Sequence, residues 1–287
     1  MAEIFHDSPA NWQVTKKLLD AAWAQLSGSF ESRARHDAFF HYLLTPRSNR
    51  WAFVSSGKTG TTSALMLLFR LEFGFDNSAR IDDPEDMNRD AHAHRAVQAG
   101  VFRSLHHRDD IPGLTEYLDQ TLRITTVRHP TARAWSSFRY LCRSQDERHA
   151  QFAQDRIRLC AATGFDWARD PRTRGGFERF LDYVALEMAA NGTRQPNNHW
   201  RPQWHDIRPA VFRPQILGRA ETPADFAREL IDHLGLAPGD AGPIAPVRLN
   251  ADDPAAAELP DWISAASVRD RLRTVYAGDY EAFGYDP

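Results

Sequence analysis

The run Ser56-Gly57-Lys58-Thr59-Gly60-Thr61-Thr62 gathers a cation, four hydroxyls and two glycines in one stretch. Those types suit an anion: glycine admits close backbone approach, hydroxyls and amides donate hydrogen bonds, and a helix beginning there adds partial positive charge. Gly57-Lys58-Thr59 also closes a triphosphate loop, but that loop needs a further glycine where Ala52 stands, so this reading fails at its first requirement. A Ser/Thr-rich helix cap with an exposed lysine would carry the same letters. A second constellation favours the anion site. Arg128 closes an apolar run, and Ser136 follows eight residues later, so a guanidinium and a hydroxyl can grip a second phosphate.

Trp51 to Val54 is apolar and β-prone, the Ser/Gly/Lys/Thr run follows, and Ala64 to Phe69 is apolar nearly all round, which predicts strand, loop and buried helix. Ile124 to Val127 repeats the strand and Pro130 stops it. From Ala132 a helix is expected with Trp135, Phe138 and Leu141 on one face and Arg133, Ser136, Ser137 and Tyr140 on a polar face open to a ligand. Gln215 to Leu217 is a weaker strand, followed by a helix with Thr222 as N-cap and Gly235 after its end; Ser264 is expected to cap a terminal helix. Val14 to Leu26 reads as an amphipathic helix that packs rather than reacts. Strands alternating with helices imply an α/β fold with a mainly parallel central sheet covered on both faces, and ligands at the strands' carboxyl ends.

The 287 residues suffice for one large domain, expected here as a single unit over 1–287 with a polar insertion or lid around 143–195. A net charge of -3 argues against nucleic acid or an acidic membrane as partner, so any basic site is local. Lysine occurs only at Lys16, Lys17 and Lys58, which places one of the three in the anion loop. The N-terminal segment has no unbroken apolar region and no stretch approaches a membrane span, so a cytoplasmic location is expected. Cys142 and Cys160 lack metal-ligand spacing and read as reduced fillers.

SSGKTGTTS resembles the 5′-phosphosulfate loop of sulfotransferases that use 3′-phosphoadenosine 5′-phosphosulfate (PAPS). VRHPTARAWSSFRY resembles their 3′-phosphate element, with the R-x-P-x-x-R-x-x-S spacing intact. NNHWRPQ (Asn197 to Gln203), ILGRAET (Ile216 to Thr222) and the terminal YAGDYEAFGY are similar to the carbohydrate sulfotransferase branch. The resemblance implies a P-loop-like sulfotransferase fold. It also implies transfer of a sulfuryl group from PAPS to a hydroxyl, on a carbohydrate, glycolipid or other small acceptor, without a metal.

By that resemblance Lys58 would neutralise the bridging oxygen as sulfuryl leaves. Ser56, Gly57, Thr59, Gly60, Thr61 and Thr62 would hold the 5′-phosphate, and Arg128 and Ser136 the 3′-phosphate. Val101 to His107 sits where cytosolic relatives carry their base histidine, so His106, or else His107, would take the acceptor proton; some carbohydrate enzymes use a glutamate instead. Arg248 lies where relatives have another phosphate-contacting loop, and His199 and Trp200 would line the acceptor cleft. Trp200 and Trp204 read equally well as core aromatics. Ser63 replaces the tryptophan that stacks on adenine in cytosolic relatives, so the adenine partner must lie elsewhere. A nucleotide kinase or NTPase, which would need a magnesium-holding aspartate at a strand end, and a non-catalytic nucleotide or glycan binder are the alternatives. Neither acceptor identity nor oligomeric state is encoded in these motifs.

Overall fold

Alternate side chains of Trp51–Ser55 feed two different cores, and this sets the layering of the molecule. Trp51 and Phe53 pack with Leu65, Leu68 and Phe69 of the helix Thr61–Phe73 and with Phe226 and Leu230 of the helix Pro223–Leu234. Ala52 and Val54 face the other way, towards Leu19 of the helix Trp12–Leu26 and Phe39 and Phe40 of the helix Arg33–Tyr42. Both faces of a pleated strand are thereby covered by helices, as a buried central strand requires. The computed structural model describes residues 4–6, 8–78, 87, 96–190, 196–235 and 258–287.

Five strands, β1 (Leu44–Pro46), β2 (Trp51–Ser55), β3 (Phe102–Ser104), β4 (Leu122–Val127) and β5 (Ile216–Arg219), form one sheet in the order β3-β1-β2-β4-β5. The β2–β4 and β4–β5 pairs are parallel; β1 runs antiparallel to both β2 and β3. The sheet is therefore mixed, which corrects the mainly parallel expectation. The short β1, which contains Pro46, and the three-residue β3 carry too little periodicity to be read from composition. Because β2 and β3 both oppose β1, the carboxyl ends of β2, β3 and β4 lie on one edge.

The helix expected from Ala132 begins at Pro130, in the first-turn position proline favours, and runs to Asp146. Ser264 does not cap the terminal helix. It ends a 3₁₀ turn, and the helix Ala266–Phe283 starts from Ala265. Thr222 holds the N-cap position of Pro223–Leu234 without a side-chain cap bond, while Gly235 closes that helix in the left-handed region as expected. Within the segment expected as a polar insertion, the helices Ala153–Thr163 and Arg174–Ala189 share a core with the flanking helices. Leu159, Phe177, Phe180 and Leu181 are buried with Phe138 of Pro130–Asp146 and Leu272 of the terminal helix.

Candidate active site

The anion loop leaves β2 at Ser55 and enters its helix at Thr61, with the chain turning through two left-handed residues, Lys58 at φ 69 and Gly60 at φ 84. Glycine takes that conformation freely, whereas lysine there carries strain of order 1–3 kcal/mol that the surroundings must impose. Hydroxyl bonds hold the turn. Thr59 and Thr61 both donate to the Ser56 carbonyl, at 2.7 and 3.1 Å, and Ser55 and Thr61 share a 2.8 Å bond. Gly57 is required for a different reason: a Cβ there would stand 3.0 Å from the His199 backbone and 3.1 Å from the Asn198 carbonyl.

The strongest brace is Arg133, which is fully buried. Its guanidinium donates to the Gly57 carbonyl at 2.8 Å, the Ser56 hydroxyl at 2.7 Å, the Asn198 carbonyl at 2.9 Å and the Arg201 carbonyl at 2.9 Å. One planar fork thus ties the anion loop, the Pro130–Asp146 helix and the Asn197 to Gln203 segment into a unit. Burial pushes this guanidinium's pKa down, opposed by Asp279, Tyr276 and Asp206. Asp206 pairs with the equally buried Arg201 and accepts the Ser56 hydroxyl at 2.6 Å. Asp279 accepts from the backbone of Gln203 and Trp204 at 3.0 and 2.8 Å. The polar helix face expected to be open is thus mostly closed: Arg133, Ser137 and Tyr140 are buried, and Ser137 donates back to the Arg133 carbonyl.

Arg128 follows β4 directly and is positioned through its backbone. The Gln203 side-chain amide pairs with it twice, accepting from Arg128 N and donating to Arg128 O, both at 2.9 Å. Glu221 braces the same turn. It accepts from His129 N at 2.8 Å and from the Tyr285 hydroxyl at 3.1 Å.

A cleft of about 910 Å³ opens along the edge where β2, β3 and β4 end. Ser56, Gly57, Lys58, Gly60, Thr61, Thr62, Arg128, Ser136, His107 and His199 all line it, so both anion constellations face one cavity. Its size suits a nucleotide-sized ligand. Lys58 Nζ lies 3.2 Å from the centre of the Tyr140 ring, a cation–π contact that holds the ammonium beside the loop. Ser63 is also on the wall, as is Gln151 from the segment read as an insertion.

Three expected site residues stand differently. Thr59 is buried, and its hydroxyl is committed to Ser56 and lies 3.3 Å from that of Thr126, so it shapes the loop instead of facing the cleft. Trp200 is fully buried in the helical core against Phe152 and Phe180, so the core reading replaces the cleft-lining one. Arg248 lies outside the described residues. His199 does line the cleft, with its ring 2.8 Å from Asn197 Oδ1.

The two histidines after β3 separate as well. Both sit in the 3₁₀ turn Leu105–His107, beyond the strand itself. His107 is exposed on the cleft wall, whereas His106 is packed against Trp12, with ring centroids 6.1 Å apart. Burial, then the neighbouring imidazoles, lowers the pKa of both rings. Sequence spacing also missed His41. It ends the helix Arg33–Tyr42 and joins His106 and His107, so that one ring nitrogen from each lies within 4.8 Å of the others. No linear pattern links residues so far apart in the chain.

The model of the sulfotransferase family matches residues 41–286, a span that contains every element of this cleft except its N-terminal rim. The chain belongs to the sulfotransferase family. Comparison with curated proteins and with solved structures gives no match. For a sulfotransferase the arrangement is chemically coherent: cationic and hydroxyl donors at the carboxyl ends of β2 and β4, and imidazoles at the end of β3. Among its described residues this sulfotransferase has no helix long and apolar enough to cross a membrane.

Proposed function

We propose that the protein transfers a sulfuryl group from PAPS to a hydroxyl of a small-molecule or glycan acceptor. The observation that carries this reading is the convergence of Lys58, Thr61, Thr62, Arg128, Ser136 and His107 on one cleft at the ends of three strands. The start of the 13-residue helix Thr61–Phe73, with Lys58 beside it, suits the 5′-phosphosulfate; Arg128 and Ser136 suit the 3′-phosphate. β1 lies between β2 and β3, so the ends of β2 and β3, which lead into the anion loop and the histidine turn, stand about 10 Å apart, two strand spacings. That interval leaves space for an acceptor hydroxyl beyond the sulfuryl group.

In the proposed step the acceptor oxygen bonds to sulfur as the bond from sulfur to the bridging phosphate oxygen breaks. Lys58 stabilises the charge arriving on that oxygen, and His107 accepts the acceptor proton. The products are a sulfate ester and adenosine 3′,5′-bisphosphate. His107 takes this role in preference to His106 because it is the one exposed to the cleft. The carbohydrate acceptor is carried by motif resemblance and the cytoplasmic setting by the hydropathy of the sequence; both belong to the proposal.

Calorimetry tests the donor. Adenosine 3′,5′-bisphosphate should bind at least about tenfold more tightly than ATP with magnesium, since a second phosphate site is worth at least ~1.4 kcal/mol. Equal affinities would remove the Arg128–Ser136 site, and preference for ATP would restore the kinase reading. Transfer of labelled sulfate from PAPS to a panel of hydroxyl acceptors tests the reaction itself.

A further inference from the structure

We propose that His41, His106 and His107 bind one divalent d-block cation of the zinc class on the β3 side of the cleft. Three imidazoles arrive there from two separate elements. His41 comes from the last turn of the helix Arg33–Tyr42, and His106 and His107 from the 3₁₀ turn Leu105–His107. Hydrogen bonds fasten one element to the other: Ser104 Oγ donates to the His41 carbonyl at 2.7 Å, and Leu105 N donates to the Leu43 carbonyl at 2.7 Å.

The ring geometry suits convergence on a point rather than stacking. Centroids are 5.9 Å apart for His41–His106, 5.7 Å for His41–His107 and 4.8 Å for His106–His107, with interplanar angles of 81°, 77° and 63°. One nitrogen of each ring lies within 4.8 Å of the others. A tetrahedral zinc with bonds of about 2.0–2.1 Å sets its ligand nitrogens about 3.3 Å apart. Closing that gap takes at most about 1.5 Å, within reach of side-chain rotation at the exposed His41 and His107. A second observation is independent of spacing: His106 Nδ1 is buried without a hydrogen-bond partner among the described residues. Buried polar atoms are normally satisfied, and coordination through Nδ1 itself satisfies this one.

Three neutral imidazoles are a ligand set for zinc, cobalt or nickel rather than magnesium or calcium, which favour oxygen. His41 and His107 both line the cleft, so the fourth position opens to water or to an acceptor oxygen. If His107 is the base, as proposed above, the cation takes its lone pair and blocks sulfuryl transfer; that consequence rests on the functional reading, whereas coordination does not.

The test begins with full-length protein stripped by chelator and titrated with Co²⁺, whose visible absorption reports tetrahedral nitrogen ligation, followed by displacement with Zn²⁺. One Co²⁺ per chain should bind, and His41→Gln and His106→Gln should each weaken it by at least about tenfold, no less than the loss of a supporting outer-shell contact. Circular dichroism of the exposed-site variant His41→Gln confirms that the chain is folded. Absence of saturable binding, or unchanged Co²⁺ spectra in a folded His41→Gln, would overturn the site. Transfer assays on the same stripped protein separate the two halves. Inhibition by stoichiometric Zn²⁺ supports both, whereas activation by Zn²⁺ keeps the cation and overturns its blocking role.

Discussion

Arg128 and Arg133 stand five residues apart in one motif, yet Arg133 is a buried brace whereas Arg128 faces the cleft, so with Arg128 as the proposed nucleotide contact, replacing each by methionine should give opposite results. Arg133 makes four hydrogen bonds at 2.7 to 2.9 Å from a fully buried guanidinium, three of them to backbone carbonyls. Each charged hydrogen bond is worth about 1.5–3 kcal/mol, although the four are not additive and removing the cation recovers its desolvation. Breaking a buried charge network costs about 3–5 kcal/mol in comparable cases, and that is the loss expected for Arg133→Met. At about 2–4 °C per kcal/mol the melting temperature falls by about 6–20 °C. Arg133→Lys should lose nearly as much, because a single ammonium cannot span carbonyls on both sides of the fork. Arg128→Met, at a half-exposed position on the cleft, should stay within about 1 kcal/mol of the parent in urea unfolding. It should lose about 2–3 kcal/mol, or about 30–150-fold, in affinity for adenosine 3′,5′-bisphosphate. Urea melts and calorimetry on the same preparations decide the matter. A stable Arg133→Met with weakened nucleotide binding, alongside a destabilised Arg128→Met, would refute the assignment.

Lys58→Ala should lower kcat by at least about 100-fold, as loss of a charge-stabilising donor does elsewhere, while nucleotide affinity changes less than about tenfold; equal loss in both would make Lys58 a simple binding residue. Gly57→Ala should reduce nucleotide affinity and melting temperature together, because the added carbon meets backbone at 3.0 and 3.1 Å; an unperturbed variant would show that the Asn198–His199 segment yields freely. His205 supplies a pH test. Burial, then Arg208, lowers its pKa from 6.5 to about 4 against the opposing pull of Glu31, with Arg35 and Arg201 adding to the depression. The folded state therefore holds fewer protons on this ring than the unfolded chain between those limits. Its stabilising contribution is complete above pH 6.5 and declines as pH falls towards about 4, by at most ~1.4 kcal/mol per pH unit. Urea unfolding at stepped pH should show a shallower decline in His205→Gln; identical slopes would remove His205 as the cause.

That the anion loop and the Arg128–Ser136 element face one cleft was legible because their positions are local: the loop and Arg128 directly follow strand ends, and Ser136 lies in the helix that follows. What sequence periodicity could not weigh is which polar residues a helix turns inward. Arg133 and Ser136 share a polar stripe, yet only long-range acceptors at Gly57, Asn198 and Arg201 make Arg133 a structural brace. The NNHWRPQ segment was similarly misread in part. Its value to the site lies in the carbonyls of Asn198 and Arg201 and the amide of Gln203, which no side-chain pattern announces. His41 escaped for the same reason, since its neighbours are set by tertiary folding around β1 and β3. Trp200 shows the converse: an aromatic beside a motif, pulled into the core by Phe152 and Phe180.

The reversed strand β1 has an effect on evolvability. It is three residues long and hydrogen-bonded on both sides, so the spacing between the ends of β2 and β3, across which the proposed transfer would run, is dictated by peptide geometry, not by the side chains that paint the walls. An exposed wall residue such as Tyr42 is then open to exchange for new acceptor shapes while that strand spacing stays constant. Substrate preference in this scaffold is tunable without retuning its ruler.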